Sequence, residues 1–559
     1  MAKSKNELIF LPLGGSGEIG MNLNLFGFGP EHDRKWIIVD IGVTFGDLST
    51  PGVEIIMPDT LFIEERKDNL LGIVLTHAHE DHMGALARLW PRLRCPVYAT
   101  PFTMYLVKDR LAEAGLLKEV PLHEMPLKSR FKLGPFYLEY VTITHSIPEP
   151  NGLAVRTSKG TVFHTGDWKI DEDPQIGEQI DVEAITRLKE ENVLAMICDS
   201  TNALSPGRAG SEGDVRKELF KLVGEYEGRG VAVASFASNV ARLESIMLAA
   251  KAHDRSVCLV GRSMRRMVGA AKSVGLLTEV GAFVEEERAS RMPSGNVLYL
   301  CTGSQGESRA ALSKIANGER RNVKFHKGDV VIFSSKIIPG NEKSIFKLQN
   351  ALAEDGVEII TEKMRPIHVS GHPYQDELKQ MYEWVKPHLS IPVHGERRHL
   401  MKHAELAKKW GVKHSVDPKN GEMFSLSEAG IEIVDIVPSG RLYEDSGIIV
   451  SAGDPGIKLR RKMAYAGHIS VSLVYNKKGK ILSGPEPRIS GFPEGVNGEY
   501  MDDLLDLVAE VAEETFYKIP SKARTNEDLV EERIRSKVKR AVNSKTDKRA
   551  VVEITAHLM

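Results

Sequence analysis

The chain has 559 residues, a length that fits about three to four domains. With 42% apolar and 27% charged residues it reads as globular rather than disordered, and no apolar run approaches the roughly 18 residues that span a bilayer. Its 74 Lys and Arg against 76 Asp and Glu leave a net charge of −2, which excludes a global nucleic-acid signal but not a locally basic groove. The polar start, Met1-Ala-Lys-Ser-Lys, lacks the apolar stretch of a secretory signal. Cys95, Cys198, Cys258 and Cys301 are far apart and form no C-x-x-C pair, which argues against a disulfide framework and a thiolate metal site. Together these features predict a cytoplasmic protein.

Residues 8 to about 75 predict short strands with tight turns: Leu8–Leu13, Asn22–Phe28, Trp36–Ile41 and Gly72–Leu75. Gly15-x-Gly17-x-x-Gly20 matches a dinucleotide fingerprint, but that fingerprint should open a helix. The alternation from Met21 to Phe28 predicts a strand, hence a glycine-rich hairpin. After Ile73-Val74-Leu75 comes Thr76-His77-Ala78-His79-Glu80-Asp81-His82, four potential metal ligands within six residues. A straight strand would make His77, His79 and Asp81 diverge; a loop leaving the strand lets them converge. Such a density of imidazole and carboxylate suits zinc or a similar ion.

A helix is predicted from Met83 to about Leu93, and strands return at Phe136–Thr142, Leu153–Thr157 and Thr161–His164. Three further strand ends carry His or Asp: His145, Asp167, and His394 after the apolar run Leu389–Val393. Converging strand ends can gather ligands that are distant in sequence. A carboxylate shared between two ions is a natural bridge, and Asp167 suits that role.

The pattern changes near Ser205-Pro-Gly-Arg-Ala-Gly210. Ser211-x-x-Asp214 predicts a capping box opening a helix to about Tyr226. Strand–loop–helix units follow at Val231–His253, Val297–Asn317 and Val330–Ala353, predicting a parallel sheet with crossover helices. Their hydroxyl-rich loops would share the carboxyl edge of that sheet, where ligands bind, and helix starts there favour phosphate. The alternative is that these are ordinary helix caps. Ile367–Val369 predicts another strand, leading into Ser370-Gly371-His372 and a helix. Gly453-Asp-Pro-Gly456 predicts a linker, followed by strands Ala464–Tyr475 and Lys480–Ser483, helices Met501–Tyr517 and Asn526–Asn543, and a strand Ala550–His557. Three basic clusters, around Arg265-Arg266, Arg397-Arg398 and Arg460-Arg461, are either solvated faces or nucleic-acid contacts.

The order Asp40, His77-x-His79-x-Asp81-His82, His145, Asp167 resembles the metallo-β-lactamase superfamily. Cys198-Asp199-Ser-Thr, Ser370-Gly-His372 and Pro392-Val-His394 resemble its nucleic-acid-processing β-CASP branch, and the whole arrangement is similar to the bacterial ribonuclease J family. The resemblance spans essentially the full chain and is weakest at the C-terminus, which carries no motif. It implies an α/β fold: a metallo-β-lactamase αββα sandwich in two parts (1–207 and 366–448), an inserted parallel-sheet β-CASP domain (208–365), a linker (449–463) and a small α/β C-terminal domain (464–559).

The resemblance further implies two Zn2+ per subunit, with Mn2+ or Mg2+ as substitutes. His77, His79 and His145 would hold one ion, Asp81, His82 and His394 the other, and Asp167 would bridge. Asp40 would hydrogen-bond a ligand histidine and fix its tautomer, or alternatively cap a turn. Asp199 and His372 would pair, and with Asp81 form the catalytic set. His372 would protonate the leaving 3′ oxygen, or alternatively bind a phosphate oxygen. In-line attack would leave a 5′-phosphate and a 3′-hydroxyl. A His at position 394 resembles the RNA-acting members, since DNA-acting ones tend to carry Val there.

Ser235, Ser238, Asn239, Ser304, Ser370, Gly371 and His372 are the expected grips for RNA phosphates, including a terminal 5′-monophosphate. Such a pocket favours 5′→3′ exonuclease action with additional endonuclease cleavage, in RNA maturation (rRNA processing included) and decay. Endonuclease action alone, a small-molecule hydrolase on the same core, and a metal-free RNA-binding scaffold are the alternatives. The implied partners are single-stranded RNA, a homodimer or homotetramer, and an RNA-degradation assembly, with no membrane.

Overall fold

The computed structural model describes residues 6–559, so the start read for a secretory signal lies outside the described residues. Among the described residues no helix is long and apolar enough to cross a membrane. Two compact units emerge, Met1–Thr44 with Met57–Gly440, and Phe45–Ile56 with Arg441–Met559.

The first unit contains two facing sheets. One has eight strands and begins with Glu7–Gly14, which pairs antiparallel with Leu23–Gly29; Lys35–Val39, Leu70–Val74 and Val97–Ala99 follow in spatial order. The glycine-rich segment is therefore a hairpin, as its alternation predicted, and opens no helix. The other sheet has seven strands, among them Phe136–Thr142, Asn151–Thr157, Gly160–His164, Ala195–Asp199 and Leu389–Val393. Period-2 alternation decides its two faces. Phe136, Leu138, Tyr140, Leu153, Val155, Val162, Ala195 and Ile197 pack against Phe10, Phe26, Ile37, Val39 and Val74 of the first sheet. The intervening Val141, Ala154, Phe163, Met196 and Cys198 face a second core shared with helices Val182–Glu190, Gln375–Val385 and Arg397–Lys409. This is the αββα layering.

The insertion is an all-parallel five-stranded sheet. Val231–Ala234 is flanked by Val297–Cys301 and Val330–Phe333, with Ser256–Val260 and Glu358–Thr361 at the edges. Ser211 caps the helix Glu212–Glu225 through the Gly213 N–H (3.1 Å) and also donates to Asp171 (2.6 Å). Asp214 instead pairs with Lys217, so the expected capping box is half made.

Two expectations fail. No strand forms at Ile367–Val369: the Ile367 carbonyl accepts from Ser334 (2.7 Å) and Arg242 (3.0 Å), so it serves a side-chain network instead of a ladder. The expected linker 449–463 is also structured. Strand Ile448–Ser451 precedes a helix Pro455–Ala466, with Asp454 accepting from the Gly456 and Ile457 N–H groups and Pro455 in the first turn. The expected strand from Ala464 therefore starts at His468. In the second unit, His468–Tyr475 lies between Ile481–Ser490 and Val551–Leu558. Helices Glu499–Lys518 and Glu527–Thr546 bury Leu504, Val508, Ala512, Ile534 and Val538 against that sheet.

Candidate metal centre

Strand Leu70–Val74 runs out at Thr76, and the chain turns through His77–His79 into the one-turn helix Glu80–Met83. That exit makes the cluster converge. His79 Nδ1 lies 3.1 Å from His77 Nε2 and 3.1 Å from His145 Nε2. One proton cannot serve both contacts; a cation at the common point can. His77, His79, His145 and Asp167 form one group of potential ligands, and Asp81, His82, Asp167 and His394 a second, each with ligand atoms within 4.8 Å of one another. A third group, Asp167, Asp199, His372 and His394, overlaps both. The structure thus brings together all seven residues proposed as ligands, together with Asp199 and His372.

Each imidazole is held by its outer nitrogen, which leaves the inner one for a ligand. His145 Nδ1 donates to the Gly371 carbonyl (2.5 Å). His82 Nδ1 donates to Asp40 Oδ2 (2.7 Å), and Asp40 also accepts from the Thr76 N–H and hydroxyl (both 2.8 Å). Thr76 Oγ1 in turn lies 3.0 Å from His77 Nδ1. Asp40 therefore sits behind the ligands, beside His82, rather than only capping a turn. His394 Nδ1 is 2.7 Å from the Thr201 hydroxyl, and its Nε2 is 3.0 Å from Asp81. Asp40 (φ 64°) and His394 (φ 52°) both occupy the left-handed region, a strained choice for non-glycine residues that the surrounding contacts enforce.

The electrostatics are those of a cation site. Among the described residues no Lys or Arg pairs with Asp40, Asp81, Asp167 or Asp199, so imidazoles are their only ionisable partners. Burial, reinforced by the neighbouring imidazoles, pushes His77 and His145 well below the ordinary histidine range, and His79 to about 4. These three are neutral donors at pH 7. For His82 and His394 burial acts the same way, but the surrounding carboxylates outweigh it: His82 is held well above its usual value and His394 rises to about 10. His372 is also raised, Asp199 at 2.8 Å outweighing burial. The rise comes from the carboxylates packed around each ring: Asp167, Asp81 and Asp40 at His82, Asp167, Asp199 and Asp81 at His394, and Asp199 and Asp167 at His372. The donor set, nitrogen and carboxylate oxygen with no thiolate, fits zinc or manganese chemistry.

The expected phosphate grips separate into groups. Ser238 reaches the centre, its hydroxyl 3.2 Å from His79 Nε2. Ser235 is buried with an unpartnered hydroxyl. Asn239 is occupied at both ends: Oδ1 caps the helix at the Arg242 N–H (3.0 Å) and Nδ2 donates to Glu212 (3.0 Å). It is a structural cap rather than a free grip. Ser370 accepts from Asn202 (2.8 Å) and from the His372 N–H (3.1 Å), shaping the loop. Gly371 supplies the carbonyl behind His145, and a Cβ there would lie 2.9 Å from that ring. Ser304 makes none of these contacts and lines a cavity in the insertion.

Sequence reasoning passed over Thr76, Thr201 and Asn22. Thr201 bridges Asp199 (2.8 Å) and His394, and Asn22 Nδ2 lies 3.1 Å from His82 Nε2. Adjacency was the signal for the two threonines, each next to a marked motif residue; for Asn22 the sequence offered none.

Fold and site together define a metal-using hydrolase of the metallo-β-lactamase fold. Family matches agree: "Beta-lactamase superfamily domain" over residues 36–188, "Ribonuclease J, beta-CASP domain" over 227–352, "Zn-dependent metallo-hydrolase RNA specificity domain" over 356–418 and "Ribonuclease J C-terminal domain" over 456–558. The chain is 46% identical to ribonuclease J of Sinorhizobium meliloti, covering 98% of this chain and 97% of that one. It is 36% identical to ribonuclease J of Corynebacterium glutamicum (98% and 75%) and 36% identical to ribonuclease J 1 of Streptococcus pyogenes (90% and 89%). A crystal structure of a protein of unknown function from Enterococcus faecalis V583 shares the fold at TM-score 0.52 and 15% identity, covering 75% of this chain and 100% of that one. The chain belongs to the ribonuclease J family, and is a metal-using hydrolase that acts on RNA.

Proposed function

We propose that the chain is a two-zinc 5′→3′ exoribonuclease that favours RNA with a 5′-monophosphate and also cuts internally. The observation that supports this most is Ser238, in the loop after strand Val231–Ala234 of the insertion, whose hydroxyl lies 3.2 Å from Nε2 of His79 in the metal cluster. That contact supports a reading in which the loop carrying Ser238 lies beside the metal cluster and helps to guide a strand of phosphates to it. His77, His79, His145 and Asp167 would hold one ion, and Asp81, His82, His394 and Asp167 the other. When bound, the ions would supply a water acidic enough to attack at neutral pH and neutralise charge on the phosphate. The chain's own residues do the rest. Asp40, Thr76, Thr201 and Gly371 orient the ligand rings. Asp199 accepts from His372 Nδ1, which stabilises the imidazolium and leaves Nε2 to protonate the leaving 3′ oxygen.

RNAs labelled near the 5′ end and carrying a triphosphate, monophosphate or hydroxyl test the reading. Mononucleotide release from the monophosphate alone is expected; internal cuts indifferent to the end would replace it with an endonuclease. His372→Ala should lower turnover about 10²–10⁴-fold with metal content unchanged. Normal turnover at full metal occupancy would remove the acid role.

A homo-oligomer is part of this proposal. The edge strand Gly430–Ile436 exposes Ile433, Val434 and Ile436, an unshielded edge of the kind that pairs with another chain. Sedimentation equilibrium is expected to give a dimer or tetramer, and a monomer at micromolar concentration would refute it.

A further inference from the structure

The inserted sheet holds a cavity of about 220 Å³ that the metal chemistry does not use. It opens where strands Val330–Phe333 and Glu358–Thr361 end, against helix Glu342–Glu354. Phe333 and Ile345 form buried walls, while Phe346 stands 48% exposed at the mouth. Ile338 and Met364, at 48% and 59% exposure, follow those same two strands and extend the apolar surface.

The polar lining is unspent. Ser304 and Ser335, only 3% and 4% exposed, and the Gln349 amide make no side-chain hydrogen bond among the described residues. Neither hydroxyl is sealed from solvent, so both present a polar atom to an occupant of the cavity. The nearby charge is mixed but mostly cationic, with the Glu362 carboxylate lining the cavity beside Lys363. Lys336, Lys343, Lys347 and Lys363 form no ion pair among the described residues. By contrast, Arg265, Arg266, Arg397, Arg398 and Arg460 of the basic clusters marked in the sequence each pair with a carboxylate.

We propose that this cavity is a base-binding subsite, taking one unpaired nucleobase of the RNA strand against Phe346 while the lysines meet its phosphates. An aromatic platform beside free cations is how single strands are held without sequence readout. The volume, below the roughly 300 Å³ of a drug-sized pocket, limits the occupant to about one heterocycle. Placement agrees. Val330–Phe333 pairs directly with Val231–Ala234, whose following loop carries Ser238 to His79. Strands lie about 4.8 Å apart, so the cavity shares the carboxyl edge that faces the metal centre, one to two strands across. The inference rests on the RNA reading above.

The test uses the full-length enzyme with single-stranded oligoribonucleotides and, separately, bis(p-nitrophenyl) phosphate. Phe346→Ala should raise KM for RNA about tenfold, leaving kcat and hydrolysis of the small diester unchanged. Phe346→Trp should keep the wild-type KM. Scanning the RNA with single abasic nucleotides should reveal one position where base loss raises the wild-type KM, and Phe346→Ala should be insensitive there. Equal KM values for all three proteins, with no sensitive position, overturn the subsite and leave the patch to a protein partner. A wild type that hydrolyses the small diester but no RNA overturns the RNA reading itself, and this subsite with it.

Discussion

Asp167→Asn is expected to lower RNA hydrolysis by about 10³-fold or more and to empty both halves of the metal centre. One oxygen of this carboxylate, Oδ2, lies 3.1 Å from His82, 3.6 Å from His394, 3.9 Å from His145 and His372, and 4.0 Å from His77. No other side chain belongs to all three groups of potential ligands found among the described residues. Burial alone would favour its neutral form, yet His394 and His82 hold it ionised well below the usual carboxylate range. Asparagine preserves the shape and removes the charge, leaving five imidazoles around a neutral amide. Asp81→Asn provides the contrast, because Asp81 belongs to only one group. Atomic emission should find metal lost from both positions in the first variant and from one in the second. Full metal content with wild-type turnover in Asp167→Asn would refute the shared-ligand assignment.

Arg242→Met should cost about 3–5 kcal/mol of stability, the largest such loss expected from a single substitution outside the metal centre. Arg242 and Glu212 are 1% and 2% exposed. Two parallel hydrogen bonds, 2.9 and 2.8 Å, join them, and Arg242 also donates to the Ser334 hydroxyl (2.9 Å) and the Ile367 carbonyl (3.0 Å). Methionine fills much of the space but strands the Glu212 charge and at least two acceptors. Burial works against ionised Glu212, but Arg242 outweighs it and lowers its pKa to about 2. Because the folded pKa is depressed, this contribution is complete above about pH 4.5 and fades as pH falls toward 2. Urea unfolding should therefore separate wild type from variant fully at pH 7 and much less near pH 3. An unchanged midpoint at pH 7 would show that the network is not structural. Since Asn239 bonds Glu212 and adjoins Ser238, a raised KM for RNA should accompany the loss.

The signals that survived folding were local and periodic. Apolar runs already marked the strands at 136–142, 153–157 and 161–164, while which face meets which core was settled by packing, since these strands are buried on both sides. Ligands were legible as His and Asp just beyond apolar runs, because a strand end is where backbone alternation stops constraining direction. The strand expected at 367–369 failed because a buried arginine takes the Ile367 carbonyl, a partner 125 residues away in sequence. The linker expected at 453–456 failed for another reason: Asp-Pro-Gly suits both a turn and a helix start, and the downstream residues decided it. Joining Phe45–Ile56 to Arg441–Met559 was invisible, since no local pattern encodes contact across some 390 positions.

By itself the sequence determined the chemistry available: seven nitrogen and carboxylate donors, a carboxylate–imidazole pair, and an inserted parallel sheet. Tertiary structure alone decided how these atoms are used. It selected the nitrogen each histidine offers by placing Asp40, Thr76, Thr201 and Gly371 behind the rings, and it made Asp167 common to every group. It spent Asn239 on a helix cap and set Ser304, Ser335 and Gln349 around a cavity. The reason is that hydrogen-bond direction and burial depend on neighbours remote in the chain, whereas donor identity and periodicity are written residue by residue.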